Sequence, residues 1–594
     1  MKQFFKFMFA SMLGFLLSSI IMIVLFFIIM FAIAASIGKP EITGIKENSV
    51  LQIKLSEEIT DRAPLNPLKG FNFSNFSPKQ SLGLNNIIEC LKNAKTDNNI
   101  KGIYLDLSYI KTGIATIEDI RNALLDFKKS GKFIVCYSES MTQGAYYIAS
   151  VADKIYLYPE GVVEFKGLNA NIIFLKGALE KLGVEPQIVR HGKFKSAVES
   201  LMLDKMSNEN RLQTSTYLNS IFNHILKGIS ESRKIGLNEL KDIVDNLKVQ
   251  NAKDAVKYKL IDKLMYRDEF LTEINKKLGN KPNDKIEFVT LNKYIKSDGQ
   301  KTTPKEEPQP KDKIAIIYAQ GDIIPGEGNE DNIGSDRLSK VIRDARLNNK
   351  IKSIVFRVNS PGGSALASDI IWREVLLASK VKPVVVSMGD YAASGGYYIS
   401  CAATKIVAEP NTITGSIGVF GVLLNSKKLL NEKLGITVDN VKTNKFADIA
   451  AFYRPMNNEE RIIVQREVEN IYDSFITKVS DGRHINKARV DSIGQGRVWS
   501  GVDALHIGLV DKIGGLNDAV KLAAELAKLK KYKIVELPKQ EEPFSLLMKY
   551  LSGEAETYLI KYELGDNYRF YNDVKSVLHM SGAQARLPYY ITIE

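Results

Sequence analysis

The sequence predicts a tandem α/β protein, two parallel-sheet units one after the other, carried behind a single membrane-spanning helix. Three observations predict it. The chain repeats itself at a nearly constant offset, each copy alternates strand-like and helix-like runs, and the N-terminus is apolar for longer than a bilayer is thick.

The repeat comes first because it sets the frame. "KGIYLDL" (101–107) matches "KSIVFRV" (352–358), and "GAYYIASVADKIYLYPEG" (144–161) matches "GGYYISCAATKIVAEPNT" (395–412), both at an offset of 251. "DAVKYKLIDKL" (254–264) matches "DALHIGLVDKI" (503–513) at an offset of 249. A shared offset over three blocks is not expected of unrelated apolar runs. With 594 residues the chain is too long for one core in any case. The units are expected at 45–290 and 313–540, joined by a linker at 291–312 that takes in nearly all of the polar, proline-bearing stretch "SDGQKTTPKEEPQPKDK" (297–313). Residues 541–594 form an aromatic-rich tail with no assignment.

Within a unit, "SIVFRV" and "KPVVVSM" are β-branched runs of strand length. Between them "ALASDIIWREVLLASK" has helical spacing, with Ile370, Ile371, Val375 and Leu376 expected on one face. Strand, helix and strand in that order predict a parallel sheet covered on its faces. "SVLQIKLSEEI" opens the first copy and "KIAIIYAQGDI" the second.

Residues 1–40 supply the cytoplasmic stub and anchor. Phe7 to Gly38 holds no charged residue, and these 32 positions exceed the roughly 20 that span a bilayer. Lys2 and Lys6 precede the stretch, which keeps the N-terminus cytoplasmic and puts the body on the far side. "AIAAS" resembles a signal-peptidase site, but the apolar run is longer than a signal peptide's core, so a retained anchor is expected. The net charge of +13 reads as a lysine-rich solvated surface or as attraction to anionic lipid headgroups. No basic run is interleaved with aromatics, so nucleic acid is not an expected partner. Three scattered cysteines (Cys90, Cys136, Cys401) make neither a disulfide framework nor a zinc site, and buried free thiols are expected.

The chemistry concentrates in the second copy. In "NTITGSIGVF" (411–420), Ser416 stands between Gly415 and Gly418 in an apolar run, a candidate nucleophile with no histidine nearby. "RVNSPGGS" (357–364) follows a strand, and Gly362 and Gly363 can present backbone N–H groups to a carbonyl oxygen; an ordinary glycine turn reads equally well there. "YAASGGYYIS" (391–400) adds Gly395 and Gly396 as further donors and Ser394 as a rival nucleophile. At the 251 offset Ser416 falls on Phe165, so the first copy lacks this hydroxyl. Aligning "HGKFKSAVES" (191–200) with "TNKFADIAAF" (443–452) puts Lys195 opposite Ala447. Each copy has what the other lacks. Taken alone, Lys195 would be one of 81 basic residues at a wet surface; the complementary losses single it out. A buried lysine whose pKa has dropped can take a serine proton in place of histidine.

"RVNSPGGS", "ASGGYYIS" and "TGSIGVFG" in one half, with "GKFKSAVES" in the other, resemble the long, two-repeat signal peptide peptidase A family, peptidase family S49. The resemblance runs from about residue 50 to about 540, plus the anchor. It implies a ClpP/crotonase-like fold in each repeat and a Ser–Lys dyad built across the repeats, with Ser416 as nucleophile and Lys195 as base. Gly362, Gly363, Gly395 and Gly396 match the glycine-rich donor turns, and Ser394 matches the ClpP nucleophile position. The family further implies a homotetramer in the bacterial inner membrane with its body in the periplasm, acting on cleaved signal peptides and other apolar peptides without metal or organic cofactor. One departure is that Ser200, not the expected proline, follows Glu199. Two other classes stay open: a crotonase-like enzyme acting on an acyl thioester, and a non-catalytic membrane scaffold.

Overall fold

The computed structural model describes residues 2–37, 44–64, 71–72, 77–78, 82–297, 310–540 and 583–587. The repeat is visible as two sheets with the same strand order. In the first, strands run 263–264, 154–163, 133–141, 100–105, 49–53 and 288–290, all parallel. In the second, Lys512–Ile513, Lys405–Ala408, Val384–Ala393, Ile351–Ser360, Lys313–Gln320 and Lys533–Leu537 follow the same order, again parallel. Their residues explain this: central strands such as Ile351–Ser360 are almost wholly buried, as a parallel sheet with helices on both faces requires. The tandem α/β expectation holds.

The crossover helix of the second copy, Ala365–Ser379, is capped by Ser364, whose Oγ accepts from the Ala367 N–H at 3.3 Å. Its inward stripe is Ala367, Ile371, Val375 and Ala378, with Leu376 half-buried against the core. Ile370 is 40% exposed, because the stripe turns one residue past it. Each copy also carries a 26-residue helix, Asn208–Arg233 and Asn458–Arg483, and each ends on a left-handed residue, Lys234 and His484.

Two boundaries differ from expectation. Helix Leu291–Lys296, placed by the sequence in the linker, packs Leu291 and Tyr294 into the first core, so that unit extends past 290. The tail is not wholly separate: Ala583–Arg586 forms a strand within a third sheet. That sheet orders 332–334, 322–324, 362–364, 583–586, 420–425 and 185–190, and so mixes strands from both copies.

The copies are tied by buried charge as well. Arg357, within the second-copy strand Ile351–Ser360, reaches Asp61 at 2.8 Å and Asp119 at 3.3 Å in the first copy, and donates to Ser387 Oγ and Met388 O. Asp390 accepts from the Thr116 N–H and hydroxyl across the same boundary. Burial pushes the Asp119 carboxyl up to about 6, against the pull of Arg357. All three cysteines are free and buried.

The N-terminal helix Lys2–Ile37 runs unbroken through "AIAAS". Its stretch Gln3–Leu25, 23 residues none of which is buried, is about 35 Å long, enough for a hydrocarbon core of about 30 Å. It fits a single-pass anchor.

Candidate active site

The two serines are brought together by strand register. Val384–Ala393 and Ile413–Gly415 are adjacent and parallel, with Ala393 opposite Gly415. Ser394 and Ser416 are therefore the next residues on neighbouring strands, and each ends its strand in a turn. The Ser394 N–H donates to Gly415 O at 2.8 Å, and the Ser416 N–H to Arg497 O at 2.7 Å. Both serines have positive φ, +54° and +49°. That conformation costs an L-residue about 1–2 kcal/mol and is held here by the surrounding ladder.

Lys195 arrives from the first copy. Strand Glu185–Arg190 pairs antiparallel with Phe420–Asn425, from Arg190 opposite Phe420 to Glu185 opposite Asn425. The His191 N–H extends the pairing to Val419 O at 3.0 Å, and the chain then turns over the serines. Glycine makes this approach possible. A Cβ on Gly496 (φ +77°) would lie 2.6 Å from the Lys195 N, Cα and Cβ, and one on Gly418 would lie 3.1 Å from its Cδ.

The Lys195 Nζ lies 2.8 Å from Ser394 Oγ, 3.0 Å from Ser416 Oγ and 3.2 Å from Ser416 O. Lys195 and Ser394 are fully buried and Ser416 is 1% exposed. Burial alone lowers the Lys195 pKa well below its ordinary value of 10.5. Burial thus favours the neutral amine, which has two N–H donors and one lone pair. Three partners match that inventory. Ser416 O can only accept, which leaves one N–H and the lone pair for the two hydroxyls.

Of the glycine donors, Gly362 (φ +107°) and Gly395 are packed together: a Cβ on Gly362 would lie 2.8 Å from the Gly395 N. The Gly362 N–H is directed at Ser360 Oγ at 3.1 Å. Gly395 and Gly396 open the helix Gly395–Ser400, where no intrahelical carbonyl takes their N–H groups. Gly363 is turned into the third sheet, opposite Ile323 and Ala585. In the first copy Phe165 fills the serine's place as core, ring to ring with Tyr146 at 5.9 Å, and Ala447 is exposed in a turn segment.

Sequence reasoning missed the residues that hold the lysine turn. Gln213 is buried; its Nε2 donates to Phe194 O (3.1 Å) and Ser196 Oγ (2.8 Å), and its Oε1 accepts from the Val498 N–H (3.1 Å). Val498 pairs with Gly415, so one side chain joins the lysine turn to the serine strand. Glu199 accepts from Ser207 Oγ and Asn210 Nδ2 and lies 3.6 Å from Arg190, whose Nη1 donates to Lys195 O. Glu199 was legible as part of the lysine motif; Gln213 carried no signal, being one polar residue on a long helix.

The sequence model of peptidase family S49 matches residues 126–281 and 377–530, one match in each copy and together more than half of the chain. The chain belongs to peptidase family S49. Among its relatives, Protease 4 of Salmonella typhi is 37% identical over 490 residues, 81% of this chain and 78% of its own. Protease 4 of Haemophilus influenzae is 36% identical over 449 residues, covering 74% and 72%. The chloroplastic serine protease SPPA of Arabidopsis thaliana is 35% identical over 517 residues, covering 86% and 74%. Among solved structures, a ClpP1 mutant from Listeria monocytogenes matches 34% of this chain and 94% of its own, at 17% identity and a TM-score of 0.24. By its family and its relatives, this S49 chain is a serine peptidase of tandem-repeat build.

Proposed function

We propose that this S49 peptidase is a membrane-anchored endopeptidase in which Ser416 is the nucleophile and Lys195 its general base. The observation that carries the reading is a fully buried lysine, with no carboxylate among the causes of its lowered pKa, 3.0 Å from Ser416 Oγ. Lys195 takes the Ser416 proton as Oγ attacks a peptide carbonyl, and the ammonium returns it to the leaving amine. Water then releases the acyl group, again with Lys195 as base. Ser394, 2.8 Å from Nζ, accepts from the ammonium and holds it in place. The Gly395 N–H supports the developing oxyanion. No step calls for a metal or organic cofactor.

Substrates are extended, apolar peptides such as cleaved signal peptides. An anchored body meets these at high local concentration, because they leave the same membrane. The lysine-first N-terminus favours the inner membrane with the body in the periplasm. A homotetramer is part of the reading; what supports it is an exposed apolar set, Leu434, Ile436, Val438, Val441 and Phe452, of the kind that subunit contacts cover.

A second assignment, Ser394 as nucleophile, is favoured by the shorter distance to Nζ. Hydrolysis of a fluorogenic apolar peptide by Ser416→Ala, Lys195→Ala and Ser394→Ala separates the two. The proposal expects the first two to be inactive and the third to retain turnover. An active Ser416→Ala with a dead Ser394→Ala refutes it. An enzyme that binds coenzyme A and is indifferent to Lys195→Ala would be the thioester class, and one without hydrolysis in any form a scaffold.

A further inference from the structure

The third sheet contains a strand that neither repeat supplies. Ala583–Arg586, from the tail, lies between Gly362–Ser364 and Phe420–Gly421 and is antiparallel to both. Gly362 faces Arg586, Gly363 faces Ala585 and Ser364 faces Gln584; on the other side Phe420 faces Gln584 and Gly421 faces Ala583. The Leu587 N–H continues the run to Pro361 O at 2.7 Å. Arg586 pairs with Asp322 at 2.9 Å. Ala585 is fully buried, and Leu587 belongs to the apolar cluster of Ala393, Ile413 and Val498.

The two flanking strands are the ones that frame the site. One carries the Pro-Gly-Gly turn; the other starts four residues after Ser416 and pairs with the strand that delivers Lys195. The carbonyl oxygen of Ala585 lies between two candidate donors: a Cβ on Gly362 would be 2.1 Å from it, and one on Gly395 2.9 Å. An extended segment added between two strand edges, with a small residue's carbonyl in the glycine notch, is how a peptidase holds a peptide by β-augmentation.

We propose that residues 583–587 are a built-in pseudosubstrate: they occupy the peptide groove with Ala585 where the residue before the cleaved bond sits, and substrates must displace them. The proposal rests on the peptidase reading above. It defines the groove as one that takes a strand antiparallel to both 362–364 and 420–421, accepts a small side chain at the Ala585 place, and receives a leucine-sized side chain two residues on. The segment is covalently part of the chain that carries the groove, so its effective concentration there is on the order of 1 mM. If the segment binds with a Kd one-tenth of that, full-length protein shows a KM raised about tenfold.

The test uses full-length protein with Ala585→Arg, which puts a long charged side chain into a fully buried position, and separately Leu587→Asp. The expected result is a KM for a fluorogenic apolar peptide about tenfold lower in both, without a fall in kcat. Binding is read independently of turnover. A fluorescently labelled peptide of residues 580–594 is titrated into full-length Ser416→Ala/Ala585→Arg, and the same peptide carrying Ala585→Arg serves as control. Saturable binding of the first and not of the second is expected. Failure of the labelled peptide to bind at concentrations up to about 1 mM overturns the proposal whatever the kinetics do. If binding occurs but no variant hydrolyses peptide, the peptidase reading fails and the occupied groove stands.

Discussion

Replacing Lys195 by methionine should abolish peptide hydrolysis and change the pH dependence of stability in a calculable way. Lys195 is fully buried, and burial alone holds its pKa well below 10.5. Between the folded-state value and about 10.4 the unfolded chain therefore binds one proton more than the folded chain. Stability must then rise with pH across that window, by about 1.4 kcal/mol per pH unit, from this residue alone. Below the folded-state value both states are protonated, and the full penalty of burying the charge is present. A methionine in its place has no such term. The stability of wild type relative to Lys195→Met should therefore climb by about 1.4 kcal/mol per unit as pH rises through the window, and be flat below it. At the low end the methionine protein should be the more stable one, because the three oxygen contacts of Nζ are worth only about 1 kcal/mol each. Urea unfolding of both proteins over a pH series measures the difference, and the wild-type pH–rate profile for kcat/KM should rise through the same value. A difference that does not vary with pH would mean that Lys195 stays charged in the folded protein, and the general-base assignment would fall.

Other expectations are more direct. Gly496→Ala puts a Cβ 2.6 Å from the Lys195 backbone at a positive φ, so peptide turnover should drop about 100-fold or more while Ser416 and Lys195 are both intact; unchanged kcat/KM would show that the lysine turn has slack. Arg357→Met leaves Asp61 and Asp119 buried without their cation and should cost about 3–5 kcal/mol in thermal or urea unfolding. That loss should shrink as pH falls towards about 6, because without the pull of Arg357 the buried Asp119 carboxyl takes up its proton at a higher pH than it does in the wild type. Gln213→Leu should lower kcat with less effect on KM, since it frees the lysine turn from the Val498 strand without touching substrate. Deleting residues 1–40 should move the protein from the membrane to the soluble fraction with its peptidase activity retained, as read by fractionation and peptide assay.

Much of the molecule was legible because its two copies comment on each other. The offset of 251 located both sheets, and the exchange of Ser416 for Phe165 and of Lys195 for Ala447 picked out the two residues that now lie 3.0 Å apart. Apolar strand runs and one long uncharged N-terminus were equally plain, since burial in a parallel sheet or in lipid demands continuous hydrophobicity. What the sequence could not contain is everything set by the meeting of distant segments. The pairing of 185–190 with 420–425, which carries the lysine across, is a backbone event in strands whose side chains show no cross-copy signature. Gln213 was invisible for the same reason: its importance lies in bridging Phe194 and Val498, which are near only after folding. Likewise Leu291–Lys296 read as linker because polar neighbours flank two apolar side chains, and only the first core's surface decides that they are buried. The tail read as unassigned because "AQAR" has little apolar content of its own. Its place depends on two waiting strand edges and on two glycines without side chains, which is information held by the folded body and not by the segment.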